Sequence, residues 1–406
     1  MPANSAPSWM DEKLMSSRRA GVSFFTNYFL LFVSFGILTP YLQLYLKARG
    51  FSPSRIGVLL GIIELAGIVG PILVSRLADS RTAYRALLAV SLVVSVIAFV
   101  PLQLTSEFPV YVFCIAIMGF SYRSTAPLLD SAVSRVLPDP GRQYGRFRVA
   151  GSIGFIVISF VLQLGGIVSG DSSLSILIAF CATAMLAAGA AALLPVVPKS
   201  APLLRAVAQD RRGGAFDLRF WAVIAVVFLG RFGMGAYYSF FSLYLRDTFG
   251  ASSAVSLMWA VGALAEIAPI WFSGRLIGRW GLRSVLVVSL ASVSIRLLLF
   301  VLAPSLAVIS LAQLLHAFTF GTFHTAAVAY VNTKIPAERR GMGMAIYNAI
   351  GTGLASFLAS VVAGYILEAH GYVALFLSFA AVPLGGILIL ACFGRSLLPR
   401  VPARAG

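Results

Sequence analysis

Charge is scarce in this sequence. Only 11% of its 406 residues are Asp, Glu, Lys or Arg, less than half the share of about 25% in an ordinary soluble domain. A chain this long would fold as two or three soluble domains, and so few charges cannot coat their surfaces. Disorder is excluded as well, because disordered chains are poor in apolar residues and this one is 59% hydrophobic. Cysteine is scarcer still: Cys114, Cys181 and Cys392 each lie inside an apolar run. None has a partner at a metal or redox spacing, so they read as small core hydrophobes, and disulfides and zinc are set aside. With three histidines in the chain, no third ligand completes a His-based metal site, and no cofactor or metal is expected. Acid is scarce relative to base, 14 Asp+Glu against 31 Lys+Arg for a net charge of +17. Whether that excess means nucleic acid or topology depends on where the bases sit.

What remains is apolar sequence in long runs. Residues 1–20 are polar, and the run that follows lasts nearly to Lys47. It exceeds the roughly 7–15-residue core of a signal peptide and reads as a retained first membrane helix. Twelve runs are long enough to span, about 17–25 residues being needed. They are approximately 21–47, 54–75, 84–104, 108–136, 144–168, 172–196, 218–246, 253–276, 283–303, 305–333, 341–367 and 371–393. The runs are solidly apolar rather than alternating, which argues against a strand-based barrel. The expected fold class is therefore all-α and integral to the membrane, with twelve transmembrane helices. A polar stretch containing Lys199, Arg205, Arg211 and Arg212 divides the helices six and six. The expected organisation is a tail at 1–20, a bundle at 21–197, a linker at 198–217, a second bundle at 218–394 and a tail at 395–406.

The basic residues test this topology. With both termini on one side, 24 of the 31 Lys/Arg fall there, in the tails, the linker and the 2/3, 4/5, 8/9 and 10/11 loops. The other side holds Lys47, Arg49, Arg55 and Arg246, and Arg123, Arg231 and Arg296 lie within spans. Cytoplasmic loops carry the Lys/Arg excess, so both termini are expected in the cytoplasm of a multi-pass plasma membrane protein (the inner membrane, in a bacterium). The +17 then reports topology, and no nucleic-acid partner is expected.

The halves resemble each other. At an offset of 199, Leu44-Tyr45-Leu46-Lys47 faces Leu243-Tyr244-Leu245-Arg246, Arg76-Leu77 faces Arg275-Leu276, and Gly154 faces Gly353. Glu64 and Glu266 miss that register by three residues, which keeps them about one helical turn apart on the same face. Duplicated six-helix halves are a transporter architecture with its site between them near the midplane. Ser75-Arg76-Leu77-Ala78-Asp79 and Gly274-Arg275-Leu276-Ile277-Gly278-Arg279 are similar to the 2/3-loop signature of the major facilitator superfamily, with Ser75 in place of Gly and Gly278 in place of Asp. Asp79, Arg76, Arg275 and Arg279 are accordingly candidate gating-loop residues. Within the superfamily, the chain resembles the phenylpropionate-permease branch, with the oligosaccharide:proton symporters as more distant relatives. Phe35-Gly36-Ile37 through Lys47, Pro127 to Asp130, Tyr144 to Arg148, Ala236-Tyr237-Tyr238, Glu266, Arg296, His316 and His324 carry this resemblance. Asp130 and Arg148 keep the spacing of 18 that a carboxylate and an arginine have in those symporters, where they bear on sugar binding. Arg296 and His316 fall where the symporters keep a proton-coupling arginine and histidine. The carboxylate one turn after that histidine is Thr319 here, so the proton chemistry does not carry over intact.

Apart from any resemblance, an ionisable group deep in a span is costly and marks function. Glu64, Arg123, Arg231, Glu266, Arg296 and His316 are central in their runs, and Asp130 and His324 lie nearer one end. A carboxyl shielded from water can load and release a proton, so Glu266 is the first candidate for proton coupling, followed by Glu64, Asp130 and His316. Guanidinium binds carboxylate bidentately; Arg296, Arg231, Arg123 and Arg148 are candidate substrate residues, with Tyr122, Tyr238, His324 and Asn27 as polar lining. The competing reading for each is interhelical glue, and three acids against three arginines would leave the interior neutral. Arg123, Pro127 and Asp130 form one stripe of the fourth helix, where the proline is expected to kink it.

The leading expectation is a monomeric proton-coupled symporter that moves a small organic solute by alternating access. The resemblance implies an aromatic or other monocarboxylate. A sugar or nucleoside is the alternative substrate, on the Asp130/Arg148 spacing. A drug-exporting antiporter fits poorly, because that class typically has a Gly-Pro signature in the fifth helix and residues 144–168 contain no proline. A non-transporting receptor or scaffold is opposed by the mid-membrane charges. No nucleophile–base constellation suggests an enzyme.

Overall fold

The computed structural model describes residues 8–137, 140–168, 172–197, 216–336 and 339–397. The expected linker falls almost wholly outside them, as do the outer parts of both tails. Among the described residues the chain is helical and contains no strand. In order, the helices are α1 (Ser8–Ala48), α2 (Pro53–Arg81), α3 (Tyr84–Phe99), α4 (Phe108–Val136), α5 (Pro140–Gly165) and α6 (Ser173–Ala190), then α7 (Leu218–Phe249), α8 (Val255–Trp271) and α9 (Ser273–Leu302). They continue with α10 (Leu306–Lys334), α11 (residues 340–370) and α12 (residues 372–397).

Local chemistry sets the ends. Asp217 accepts the Phe220 N–H at 2.9 Å to start α7, and Ser172 and Ser305 cap α6 and α10 in the same way, each satisfying a donor the helix leaves open. Pro53 opens α2, where its missing N–H costs nothing. Gly250 closes α7 with φ +62°, a left-handed turn that favours glycine. The polar tail expected at 1–20 is partly helical, since α1 begins at Ser8. α4 stays one helix across Pro127, so the proline does not break it.

Eleven helical stretches are long and apolar enough to cross a membrane, and the last of them, Arg340–Phe393, has 54 residues. At 1.5 Å per residue that is roughly 80 Å, more than twice a hydrocarbon core of about 30 Å. Gly371, at φ +77°, breaks it, and the contacts on either side show the chain turning back. Before the break, Tyr347 meets His324, Gly364 meets Pro53 and Glu368 meets Ser54. After it, Tyr372 meets Asp247 and the carbonyl of Leu390 accepts from Arg283 at 3.0 Å. The stretch is therefore two antiparallel passes, which makes twelve in all. Gly281, at φ +77°, likewise separates residues 273–280 from the spanning part of α9.

Within the first six helices, α1 packs on α5 and α6, and α4 on α2 and α3; within the last six, α7 and α9 pack on the final helices and α8 on α10. The halves meet along α2–α11, α5–α8 and α1–α7. Small residues bring α2 and α11 close: a Cβ on Gly57 would lie 2.4 Å from the Ser360 carbonyl oxygen, and one on Gly364 2.4 Å from that of Pro53. Hydrogen bonds also join the halves. Ser54 N–H donates to Glu368 at 2.8 Å and Ser256 to Gln163 at 3.4 Å. Gln43 donates to the Tyr238 carbonyl at 3.4 Å and accepts from Leu243 N–H at 3.3 Å. All lie in the half of the membrane away from the Lys/Arg-rich loops. The α2–α11 seam continues as far as Ile68 against Gly353, and nearer the basic face Leu73 and Leu77 on α2 and Met342 on α11 are exposed. The far face is thus joined by these bonds, and none of them lies near the basic one.

Candidate functional site

Where the halves meet, they enclose a cavity of about 320 Å³, at the lower end of the range of about 300–1,000 Å³ for small-molecule sites. Two charged walls face each other across it. On the first, Glu64 of α2 pairs with Arg123 of α4. Gly67 makes room for this, since a Cβ there would stand 3.1 Å from the Arg123 stem. The next residue, Tyr122, exchanges a 2.8 Å hydrogen bond with Ser34 and stacks on Phe35. Arg148 of α5 lies 4.2 Å above the Phe32 ring, with Gly151 one turn on leaving space for both.

On the second wall, Arg231 and Tyr238 come from one face of α7, and the guanidinium sits 5.0 Å over the phenol ring. Nε and Nη1 of Arg231 are buried without a hydrogen-bond partner in the protein. Glu266 of α8 and His316 of α10 also line the cavity, with Nε2 of the imidazole 3.6 Å from Oε2 of the carboxylate. Trp259 and Phe320 complete the aromatic lining. Immediately after His316, α10 widens into a π-helical segment at Ala317–Thr322, and α11 does the same at Tyr347–Leu354. Such insertions re-aim side chains and cluster at functional sites.

Several candidates turn elsewhere. Arg296 is not on the cavity surface; it is buried behind His316, bonded to it and to Gln313, with its guanidinium 3.7 Å over Tyr237. Asn27 donates to the carbonyls of Ser23 and Ala190, joining α1 to α6 rather than lining the cavity. Asp130 accepts the Tyr28 hydroxyl at 2.5 Å, while Arg148, which shares the spacing of 18 with it, lines the cavity. His324 bonds the Tyr347 hydroxyl at 2.7 Å, outside the cavity lining. The gating-loop candidates lie on helices rather than in loops, because α2 continues to Arg81 and α9 begins at Ser273; Asp79 pairs with Arg135 at 2.8 Å and accepts from Tyr84. Arg76, Arg275 and Arg279 are exposed, Arg275 over the Phe272 ring.

These placements change the charge count. The neutral tally included Asp130 and Arg296; with both outside and Arg148 inside, three guanidiniums face two carboxylates. Sequence reasoning also passed over Gln43, a buried amide that lines the cavity and ties α1 to the α7 backbone. Its signal was a lone polar residue in the run Pro40-Tyr41-Leu42-Gln43-Leu44.

Twelve helices in two halves around a charged midplane cavity define a secondary transporter fold. The matches to known proteins agree. Residues 22–378 match the model of the MFS_1 like family, and the chain belongs to that family of the major facilitator superfamily. It is 27% identical to the maltose permease of Geobacillus stearothermophilus, over 91% of this chain and 93% of that one. It is 26% identical to a protein of Escherichia coli K12 named "Probable 3-phenylpropionic acid transporter", over 88% and 93%. The fold superposes on the nucleoside transporter NupG with a TM-score of 0.77 at 18% identity, covering 92% of this chain and 99% of that one. These relatives are transporters, and this protein is a membrane transporter rather than an enzyme.

Proposed function

We propose that the protein is a proton-coupled symporter of a small organic monocarboxylate, with an aromatic acid as its solute class. The observation that carries this reading is the excess of guanidinium over carboxylate in the cavity, with two buried nitrogens of Arg231 unpaired. A buried donor left open favours a ligand that accepts from it, and a carboxylate does so with charge assistance. The Tyr122, Tyr238 and Trp259 rings supply an apolar wall for the rest of the solute. Glu266 is the coupling carboxylate in this reading, because Glu64 is already neutralised by Arg123. Two six-helix bundles, 21–197 and 218–394, rock about the cavity with both termini cytoplasmic, so the arrangement described here is inward-open. The transporter acts as a monomer in the plasma membrane. A disaccharide is the second reading, favoured by the similarity to a protein named maltose permease; the small cavity speaks against it.

The test is uptake into proteoliposomes of labelled aromatic acids, sugars and nucleosides, with and without an inward proton gradient. Gradient-driven accumulation of an aromatic acid is the expected result. Accumulation of sugars alone would transfer the site to the second reading, and gradient-independent equilibration would remove proton coupling.

A further inference from the structure

We infer that Arg296 locks His316 into a single neutral tautomer, with its proton on Nε2 facing Glu266, so that the histidine positions the coupling carboxylate and never carries the proton itself. This rests on the reading of Glu266 given above.

The inference follows from what each group is able to donate. Nη1 of Arg296 lies 3.0 Å from Nδ1 of His316. A guanidinium has donors only and stays charged in proteins, so the imidazole nitrogen in that contact is the acceptor. Neutral histidine has one N–H, which leaves it on Nε2, the atom 3.6 Å from Glu266 Oε2. Imidazolium would set N–H against N–H and cation against cation at Nδ1.

Arg296 is not free to yield. It is 3% exposed, its second amino group donates to Gln313 Oε1, and its plane rests on the Tyr237 ring. Gln313 is oriented in turn, donating through Nε2 to the Ile309 carbonyl at 3.0 Å and accepting the Tyr237 hydroxyl at 3.2 Å. The groups around His316 agree. From α7 come the uncharged Tyr237 and Tyr238 rings and the positive charge of Arg231. From α8 comes Glu266. On α10 itself, the Thr319 hydroxyl stands 3.4 Å from Nδ1, where it too can donate. The single acid is on the Nε2 side and the donors are on the Nδ1 side.

Nitrogen NMR of protein labelled with ¹⁵N-histidine in nanodiscs tests this directly, because the chain has three histidines and His316→Asn identifies the signal. Between pH 5.5 and 8 the His316 pattern is expected to show a protonated Nε2 and a bare Nδ1 throughout, and Arg296→Gln, which removes the guanidinium donor at Nδ1, is expected to give a mixture of the two neutral tautomers. A protonated Nδ1 or an imidazolium pattern in the unmodified protein would overturn the inference. That readout needs no transport, so it stands apart from the symport reading. In uptake assays His316→Gln, whose amide keeps a donor near Nε2, lowers the rate but retains the pH midpoint of the unmodified protein. His316→Asn, which loses that donor, is expected to fall further below the rate of His316→Gln. A midpoint lost in His316→Gln would make the histidine a proton carrier.

Discussion

Gly57→Ala tests the joined far face most sharply. A Cβ at Gly57 would lie 2.4 Å from the Ser360 carbonyl oxygen and 3.0 Å from Cα of Gly364. Both are backbone atoms, so no flexible side chain can swing aside. Ordinary contact starts at 3.4 Å, and α2 and α11 must separate by about 1 Å to reach it. Overpacking of this kind costs about 1–3 kcal/mol. The cost falls only on the state in which this seam is shut, so the population open on the basic face drops relative to the one open on the far face by about 5- to 150-fold. The assay is labelling by a membrane-impermeant thiol reagent of a cysteine placed by Asn348→Cys, a residue exposed in this state, after Cys114, Cys181 and Cys392 are replaced by alanine. In vesicles with the basic face outward, Gly57→Ala is expected to slow labelling several-fold or more. Gly274→Ala, where an added Cβ meets nothing within 4 Å, leaves the rate as it was. Unchanged labelling in a folded Gly57→Ala protein would refute the idea that the α2–α11 seam is the far-side gate.

Two further outcomes follow from the cavity walls. Arg231→Gln breaks no hydrogen bond within the protein, since Nε and Nη1 have no partner, so the thermal midpoint is expected to hold. The KM for the carboxylate is expected to rise about 10- to 150-fold, the equivalent of the 1.5–3 kcal/mol of a charge-assisted hydrogen bond; an unchanged KM would remove Arg231 from the solute site. Glu64→Gln and Arg123→Gln should each destabilise by about 1–2 kcal/mol, less than the 3–5 kcal/mol of a dry pair, because the two side chains are 25% and 38% exposed. The double replacement should recover part of that loss in a thermal melt, and additive losses would show that the two charges do not depend on each other.

The sequence made depth legible and left azimuth hidden. Runs of apolar residues place Glu64, Arg123, Arg231 and Glu266 at mid-membrane, and the structure brings all four to one cavity. Yet Arg296 is as deep as Arg231 and lies buried behind His316, off the cavity surface. On a helix, one residue is about 100° of rotation, so a small error in register or packing moves a side chain from cavity to core. The π-helical segment after His316 changes that rotation again, and its apolar sequence Ala317-Phe318-Thr319-Phe320-Gly321-Thr322 carries no sign of it. The Asp130/Arg148 spacing misled for a related reason: it compares positions on two helices whose relative rotation only packing decides. Gly371 was readable as the boundary between the last two runs, because the combined length exceeds any bilayer. The neutral charge tally failed because it added groups of equal depth without knowing which of them share a surface.

The excess of guanidinium makes the proton and the solute thermodynamic partners under the proposed function. With Glu266 ionised, three guanidiniums face two carboxylates; protonating it leaves only Glu64, which Arg123 already holds. An entering carboxylate then meets unopposed positive charge and loses one repulsion. For two unit charges about 7 Å apart at an effective dielectric near 20, that repulsion is about 2 kcal/mol, a change of roughly 30-fold in affinity. Linkage makes the effect reciprocal, so the anion must favour proton binding by the same factor. The anion Kd is therefore expected to tighten as pH falls in the unmodified protein. In Glu266→Gln it should be tight and independent of pH, because the amide imitates the protonated acid. The same variant is expected to abolish accumulation driven by a proton gradient while sparing exchange of solute across the membrane. Loss of both activities together, or a Kd that still follows pH in Glu266→Gln, would place the coupling proton on another group.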